Sequence, residues 1–340
     1  ARTILKKVQQ AASVPTSSDK SLREITLKCI EWDGKAPTLN GVHCGSAGGS
    51  VKGNNSYCAV IGGTCGGKPA NRSIKVIQFT SENTYKEFSY TNLPFSHYCT
   101  AVSHPQNPQM ILVVQGKSKG GREAENKSKN VYLYDVLEGE VKTKFLPMKN
   151  SRDSAACTIS GKYFIVCGGH DGPDQNYNEK NVLKQVELLH LEEQKDWARL
   201  PDMQHSRFRH ACASFKDKIY ALGGLTKKGD QLHCLNSVEV LDLNKKDKKW
   251  ESMPDMIHPR EWHSCAVTTD GILIVVGGQG KHMHDTCEYI DLMCKKPKWK
   301  LVKNFQLKHK RNHHGSVVIE DVLYIFGGGN FPIERYDIDI

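Results

Sequence analysis

Short apolar runs that end in a pair of glycines recur along the chain: Cys58–Gly63, Ile165–Gly169, Tyr220–Gly224, Ile274–Gly278 and Tyr324–Gly328. A sixth run, Ile111–Gly116, has Gln115 where the first glycine would stand. Counted from that first position, the steps are 115 − 62 = 53, 168 − 115 = 53, 223 − 168 = 55, 277 − 223 = 54 and 327 − 277 = 50. A near-constant period of about fifty residues with strand-length runs inside it is the signature of a repeat architecture, one supersecondary unit per period.

The unit from Arg207 to Met256 shows what a period contains. Arg207–Phe215 reads as a strand of small and apolar residues, followed by the turn Lys216-Asp217-Lys218. Ile219–Gly224 is too short and too rich in β-formers to be a helix. Beyond a polar loop, Ser237–Leu243 alternates apolar with polar, the pattern of a half-exposed strand. A fourth strand carries Trp250 and leads through Pro254 into the next unit. The paired glycines allow positive φ where the second strand ends and a neighbouring segment crowds in.

This order resembles the Kelch repeat: apolar run, Gly-Gly, an acid-bearing third strand, then Trp and a Met/Pro turn before the next Arg. The resemblance covers residues 23 to 340, with tryptophans at Trp197, Trp250 and Trp299, and with Phe88 and Phe145 near that place in the first two units. The third-strand acids are Glu187, Glu239 with Asp242, Glu288 with Asp291, and Glu334 with Asp337. Units three to six match well, whereas units one and two are degenerate. The resemblance implies an all-β, six-bladed propeller in which each blade is too small to bury its own faces and is stable only in the ring.

The last unit stops at Tyr336–Ile340, one strand short, while Ile25–Trp32 reads as a fourth strand with Trp32 in the repeat position and Pro37 after it. The N-terminal strand is therefore expected to complete the sixth blade, which leaves no open edge for another chain to extend. Residues 1–22 are set apart as a tail or linker: Ile4, Leu5, Val8, Ala11 and Ala12 recur at helical spacing, and Val14–Ser18 follows them.

One propeller accounts for nearly all of the 340 residues, and no apolar run approaches a membrane span. Of the twelve cysteines, Cys99, Cys157, Cys212 and Cys265 take one place in the first strands of successive units, with Cys44 as the counterpart in the first. Thiols pointing from separate sheets are poorly placed for disulfides and read as small buried side chains. No zinc-type spacing is present, so no metal and no cofactor is expected. A reducing compartment, the cytoplasm, fits this usage. Against it stand three Asn-x-Ser triplets, at Asn54, Asn71 and Asn126.

The net charge of +10 points to an acidic counterpart. Nucleic acid ranks last, because no aromatic-interleaved basic module is recognisable. Arg152, Arg207, Arg260 and Arg311 recur at the head of successive units and read as structural bonds to a neighbouring loop. Two residues on, the position varies: Ser154, Arg209, Trp262 and His313, with Ser96 in unit two. A repeat that keeps its skeleton can specialise such a position, and the Kelch resemblance implies contact with peptides there. Arg209 and Trp262 lead, as the residue types that anchor interfaces. His97, His210, His263 and His314 follow by one residue and read as loop filling with satisfied hydrogen bonds, not as a metal site.

Loops of extra length follow the second strand in units two, with Lys119 and Arg122, and three, from His170 to Lys180, and such loops map to the binding face of a repeat ring. On the opposite face, Lys245–Lys249 and Lys295–Lys298 form adjacent basic hairpins, from which Lys248 and Lys298 are candidate contacts. Three functions are carried forward. The first is a non-catalytic, cytosolic interaction module for an acidic protein, such as the actin filament bound by Kelch propellers that this chain resembles. The second is a substrate receptor of a cullin ubiquitin ligase, a class that usually carries BTB and BACK domains, neither of which lies in these 340 residues. The third is a sugar-processing enzyme, for which no cluster of tyrosines and histidines is legible.

Overall fold

The second strand of each unit is apolar over at least four successive positions, which a strand tolerates only when both of its faces are covered. The computed structural model describes residues 23–39, 45–51, 55–61, 73–81, 83–91, 99–104, 106–116, 129–172, 177–193 and 196–340. Residues 1–22, Cys44, Ser96, His97, Lys119, Arg122 and the three Asn-x-Ser asparagines lie outside them.

Six four-stranded antiparallel sheets form the blades. Blade one comprises β2 (Gly45–Val51), β3 (Asn55–Ile61), β4 (Ile74–Phe79) and β5 (Tyr85–Tyr90), and blade two β6 (Thr100–Ser103), β7 (Met110–Val114), β8 (Val131–Asp135) and β9 (Glu140–Lys144). Blade three is β10 (Ala156–Ser160), β11 (Tyr163–Cys167), β12 (Val186–His190) and β13 (Ala198–Leu200). Blade four is β14 (Ala211–Phe215), β15 (Lys218–Leu222), β18 (Val238–Asp242) and β19 (Trp250–Met253), and it carries an extra hairpin, β16 (Leu225–Lys228) with β17 (Gln231–Cys234). Blade five is β20 (Ser264–Val267), β21 (Ile272–Val276), β22 (Cys287–Asp291) and β23 (Lys300–Leu301). In blade six, β24 (His314–Ile319), β25 (Val322–Gly327) and β26 (Glu334–Asp339) are joined by β1 (Thr26–Cys29). The first strands meet in sequence around the axis, and β24 of the last blade meets β2 of the first.

The hydrophobic core is split among the six blade interfaces. Ile272, Ile274 and Val276 of β21 pack toward Leu323 and Ile325 of blade six, whereas the intervening Leu273 and Val275 pack toward Tyr220 and Leu222 of blade four. Alternate residues of one strand thus serve two interfaces, as the twofold period of side chains requires. Between blades three and four the same role falls to Ile165 and Cys167 against Ile219 and Ala221.

Ring closure follows the expected route, with a correction of register. β1 pairs with β26 from Thr26↔Asp339 to Cys29↔Tyr336. In blade four the repeat tryptophan, Trp250, stands opposite Leu241, the counterpart of Tyr336. Cys29 therefore occupies the tryptophan place, and Trp32 lies three residues past it. There its indole N–H donates to the Ile333 carbonyl, Arg335 lies 3.9 Å from its ring and Phe79 of blade one stacks at 5.9 Å. The three true repeat tryptophans do something else: Trp197, Trp250 and Trp299 each donate to a carbonyl of the linker entering their own blade, at Leu146, Pro201 and Pro254.

Candidate functional site

The glycine doublets open the way to one end of the axis. Gly223 and Gly224 have φ of 55° and 87°, and a Cβ on Gly223 would lie 2.6 Å from the Arg260 carbonyl oxygen and 2.9 Å from Cε1 of His263. The absent side chain is what admits the next blade's arginine backbone and histidine ring. Gly168 and Gly277 seat His210 and His314 in the same way.

The recurring arginines are structural, but their side chains bond mainly within their own blade and not to a neighbouring one. Arg207 is fully buried; it donates to the carbonyls of Gly223 and Ser237 at 2.9 Å and pairs with Glu239 at 2.7 Å. Arg152–Glu187, Arg260–Glu288 and Arg311–Glu334 repeat the pair at 2.8, 2.9 and 2.9 Å. Glu239 also accepts the backbone N–H groups of Gln204 and His205. Burial pushes its carboxyl pKa up, yet the Arg207 charge and these hydrogen bonds outweigh that and hold it below the ordinary value. A motif the sequence reading missed completes the staple: His205, His258 and His309, two residues before the arginine, place Nδ1 3.1, 3.0 and 3.2 Å from the same carboxylates.

Two residues after each arginine the chain reaches the axis. Ser154, Arg209, Trp262 and His313 all have positive φ, between 51° and 57°, a conformation rare for such side chains. A relay of main-chain bonds from blade to blade holds them there: Arg209 N–H donates to Ser154 O, Trp262 N–H to Arg209 O and His313 N–H to Trp262 O, each at 2.9 Å. The four predicted residues line one central cavity of about 420 Å³. Trp262 and His313 stack with ring centres 3.7 Å apart, and the Arg209 guanidinium lies 4.9 Å from the indole.

Arg209 is not an unencumbered cation, as a peptide anchor read from sequence would suggest. It pairs with Glu261 at 3.0 Å, and the Tyr177 hydroxyl accepts from its other terminal nitrogen at 3.0 Å. Phe208 stacks on Tyr177 at 4.7 Å. Tyr177 belongs to the long loop of unit three, so the extra length returns to the rim. The hairpin β16–β17 stands beside it, with Glu179 accepting the Gly229 N–H. That hairpin was not anticipated, although Lys228-Gly229-Asp230-Gln231 between two short alternating runs is a hairpin signal. Lys248 and Lys298 lie in turns between third and fourth strands, at the end of the ring away from the glycine doublets, and both are exposed.

Deeper in the cavity the wall is unreactive. His210, His263 and His314 are buried and none of their ring nitrogens makes a well-formed hydrogen bond; only backbone groups of Arg260 and Leu222 act on His263 and of Val276 on His314, so the rings mainly fill space. Burial, reinforced by the nearby arginines, pushes His263 and His314 down to about 3 and His210 well below its ordinary value. Cys157 and Cys265 are pushed up to about 12 by burial, and Cys212 is raised by its hydrogen bond with Cys167 and by burial. The thiols are therefore protonated and poor nucleophiles at neutral pH. No disulfide joins the ten described cysteines. Among the described residues no three of His, Cys, Asp and Glu converge as metal ligands, and no helix is long and apolar enough to cross a membrane.

A closed ring of six four-stranded blades, four of which carry the same arginine staple while the axial rim position varies among them, defines a repeat propeller. Residues 96–328 match the family model described as the KLHDC2/KLHL20/DRC7 Kelch-repeats domain, and the chain belongs to the Kelch-repeat family. It is similar to alpha-scruin of Limulus polyphemus, 26% identical over 186 residues that cover 54% of this chain and 19% of that protein. It is also similar to Kelch-like protein 26 of Danio rerio, 22% identical over 257 residues covering 74% of this chain and 38% of the relative. The chain thus spans well under half the length of these relatives. The solved structure of YjhT superposes with a TM-score of 0.62 at 14% identity, covering 89% of this chain and 95% of that one, which shows a shared fold.

Proposed function

We propose that the propeller is a non-catalytic interaction module that holds a segment of a protein partner at the funnel mouth formed by Ser154, Arg209, Trp262 and His313. The observation that carries this reading is their convergence. Four side chains of different chemistry, each on its own blade, share one cavity mouth on a backbone joined by main-chain bonds. The Trp262–His313 stack supplies contact area, and Arg209 supplies a charge that a partner carboxylate can share with Glu261. A cytoskeletal filament is the first partner to test, because actin is acidic and this chain carries +10.

A second reading, a substrate receptor of a ubiquitin ligase, is supported by similarity to Kelch repeat and BTB domain-containing protein 12 of Danio rerio, 25% identical over 181 residues. Co-sedimentation with filamentous actin at 50 to 300 mM salt separates the two. Pelleting that weakens as salt rises and is lost in Trp262→Ala and Arg209→Ala supports the first. Absence of pelleting by the folded wild type removes it, and capture of the propeller by a cullin ubiquitin ligase assembly would then support the second.

A further inference from the structure

The two lysine turns lie at the other end of the ring from the funnel, and their electrostatics differ from those of an ordinary solvated loop. Lys245–Lys249 joins β18 to β19 and Lys295–Lys298 precedes β23, so together they bring seven lysines and one aspartate to adjoining blades. The two blades touch at this end of the ring: Lys216 Nζ, on the turn between β14 and β15 of blade four, donates to Met293 Sδ of blade five at 3.2 Å. A Cβ on Gly271 of blade five would meet the Phe215 ring of blade four at 2.7 Å.

On blades four and five the acids of this face other than Asp247 are engaged by other groups, whereas Glu320 and Asp321 lie in the turn of blade six. Asp217 accepts from Asn244, Asp242 lies 3.9 Å from Lys218, and Glu251 pairs with Lys245 at 2.7 Å. Asp270 and Asp291 hold Arg23, and Glu24 lies within 3.5 Å of Lys300 and Lys303. Lys246, Lys248, Lys296 and Lys298 are exposed and make no ion pair among the described residues, and Asp247 is the one acid between them. The tryptophans of both turns, Trp250 and Trp299, are buried, so no aromatic platform for stacked bases accompanies the charge. Lysines supply hydrated point charges, without the bidentate forks that favour phosphate.

We propose that this face is a second docking surface, for a carboxylate-rich protein segment, and that it works independently of the funnel. A molecule with binding surfaces at opposite ends of a rigid ring can bridge two partners. The inference rests on the reading of the chain as an interaction module but uses none of the funnel residues.

The test uses fluorescent poly-L-glutamate, a 20-base-pair DNA duplex and vesicles containing phosphatidylserine as probes. The expected result is poly-glutamate binding that weakens at least tenfold between 50 and 300 mM salt. The same affinity should drop at least tenfold in a variant with Lys246, Lys248, Lys296 and Lys298 all changed to Glu, and stay unchanged in Trp262→Ala. An unchanged urea midpoint in the lysine variant excludes misfolding, and a Lys→Gln version serves if the midpoint shifts. Equal poly-glutamate binding by wild type and lysine variant overturns the proposal. So does tighter binding of the duplex or the vesicles, or loss of poly-glutamate binding in Trp262→Ala, which would move the acidic site to the funnel.

Discussion

Acidification should destabilise this ring well before its carboxylates titrate. His210, His263 and His314 are neutral in the fold, with pKa values pushed far below the ordinary 6.5 by burial and then by the arginines. The unfolded chain takes up those three protons near pH 6.5 while the folded chain refuses them. Their contribution is thus fully present above about pH 6.5 and is lost as pH falls toward the folded values, about 3 for His263 and His314 and well below the ordinary one for His210. Each proton steepens the dependence by about 1.4 kcal/mol per pH unit, so three give about 4. At pH 5 the accumulated loss is about 2 kcal/mol per histidine, a substantial part of a total stability of about 5–15 kcal/mol. Glu239 and Glu334, whose pKa values are lowered in the fold, begin to subtract stability near pH 4.5, below the pH 7.5–5 range assayed. Urea unfolding at pH 7.5, 6.5, 5.75 and 5 reads the slope directly. The double variant His263→Gln/His314→Gln should lose two of the three protons, a slope smaller by about 2.7 kcal/mol per pH unit; His104 and His284, also lowered by burial, are common to both proteins and cancel in that difference. A midpoint that does not move between pH 7.5 and 5, or an equal slope in the double variant, would refute the reasoning.

Other outcomes follow from the same geometry. Glu239→Ala strands the buried Arg207 charge and should cost about 3–5 kcal/mol in urea unfolding, with Arg207→Met in the same chain restoring part of it. Gly223→Ala meets the Arg260 carbonyl as well as a left-handed φ, whereas Gly229→Ala, at the same φ of 55°, meets nothing within 4 Å. The first should therefore lower the midpoint clearly more than the second, which loses only the roughly 1 kcal/mol of backbone preference. Removing residues up to Cys29 bares the edge of β26 and should produce concentration-dependent association in sedimentation velocity; a monomer of unchanged melting temperature would contradict the pairing of Thr26 with Asp339.

Much of this architecture was legible because the period is written twice, in glycine doublets and in the apolar second strands that serve two interfaces each. The joined ends were readable from a missing strand at one terminus and a spare one at the other. Register was not: Trp32 looked like a repeat tryptophan, and only pairing of Cys29 with Tyr336 shows that it stands three places on. The rim positions could be located by counting from each arginine. Their relations could not, because Glu261, Tyr177 and Arg209 are brought together by loops from different blades. The buried histidines were misjudged for a similar reason. A recurring imidazole suggests hydrogen bonding, whereas these rings occupy the hollows left by glycines.

The pairing of Thr26 with Asp339 spans 339 − 26 = 313 residues, and it sets an order of events during synthesis. At a ribosomal pace of about 5–20 residues per second, the first-made strand waits on the order of 15–60 s for the last-made one. Throughout that interval it is an orphan, exposed to any other nascent β-edge. Its own charges guard it: Arg23, Glu24, Lys28 and Glu31 flank and punctuate the apolar Ile25, Leu27 and Ile30, and the same four side chains later form ion pairs that fasten it to blades five and six. The charges that keep the waiting strand soluble become the clasp of the finished ring.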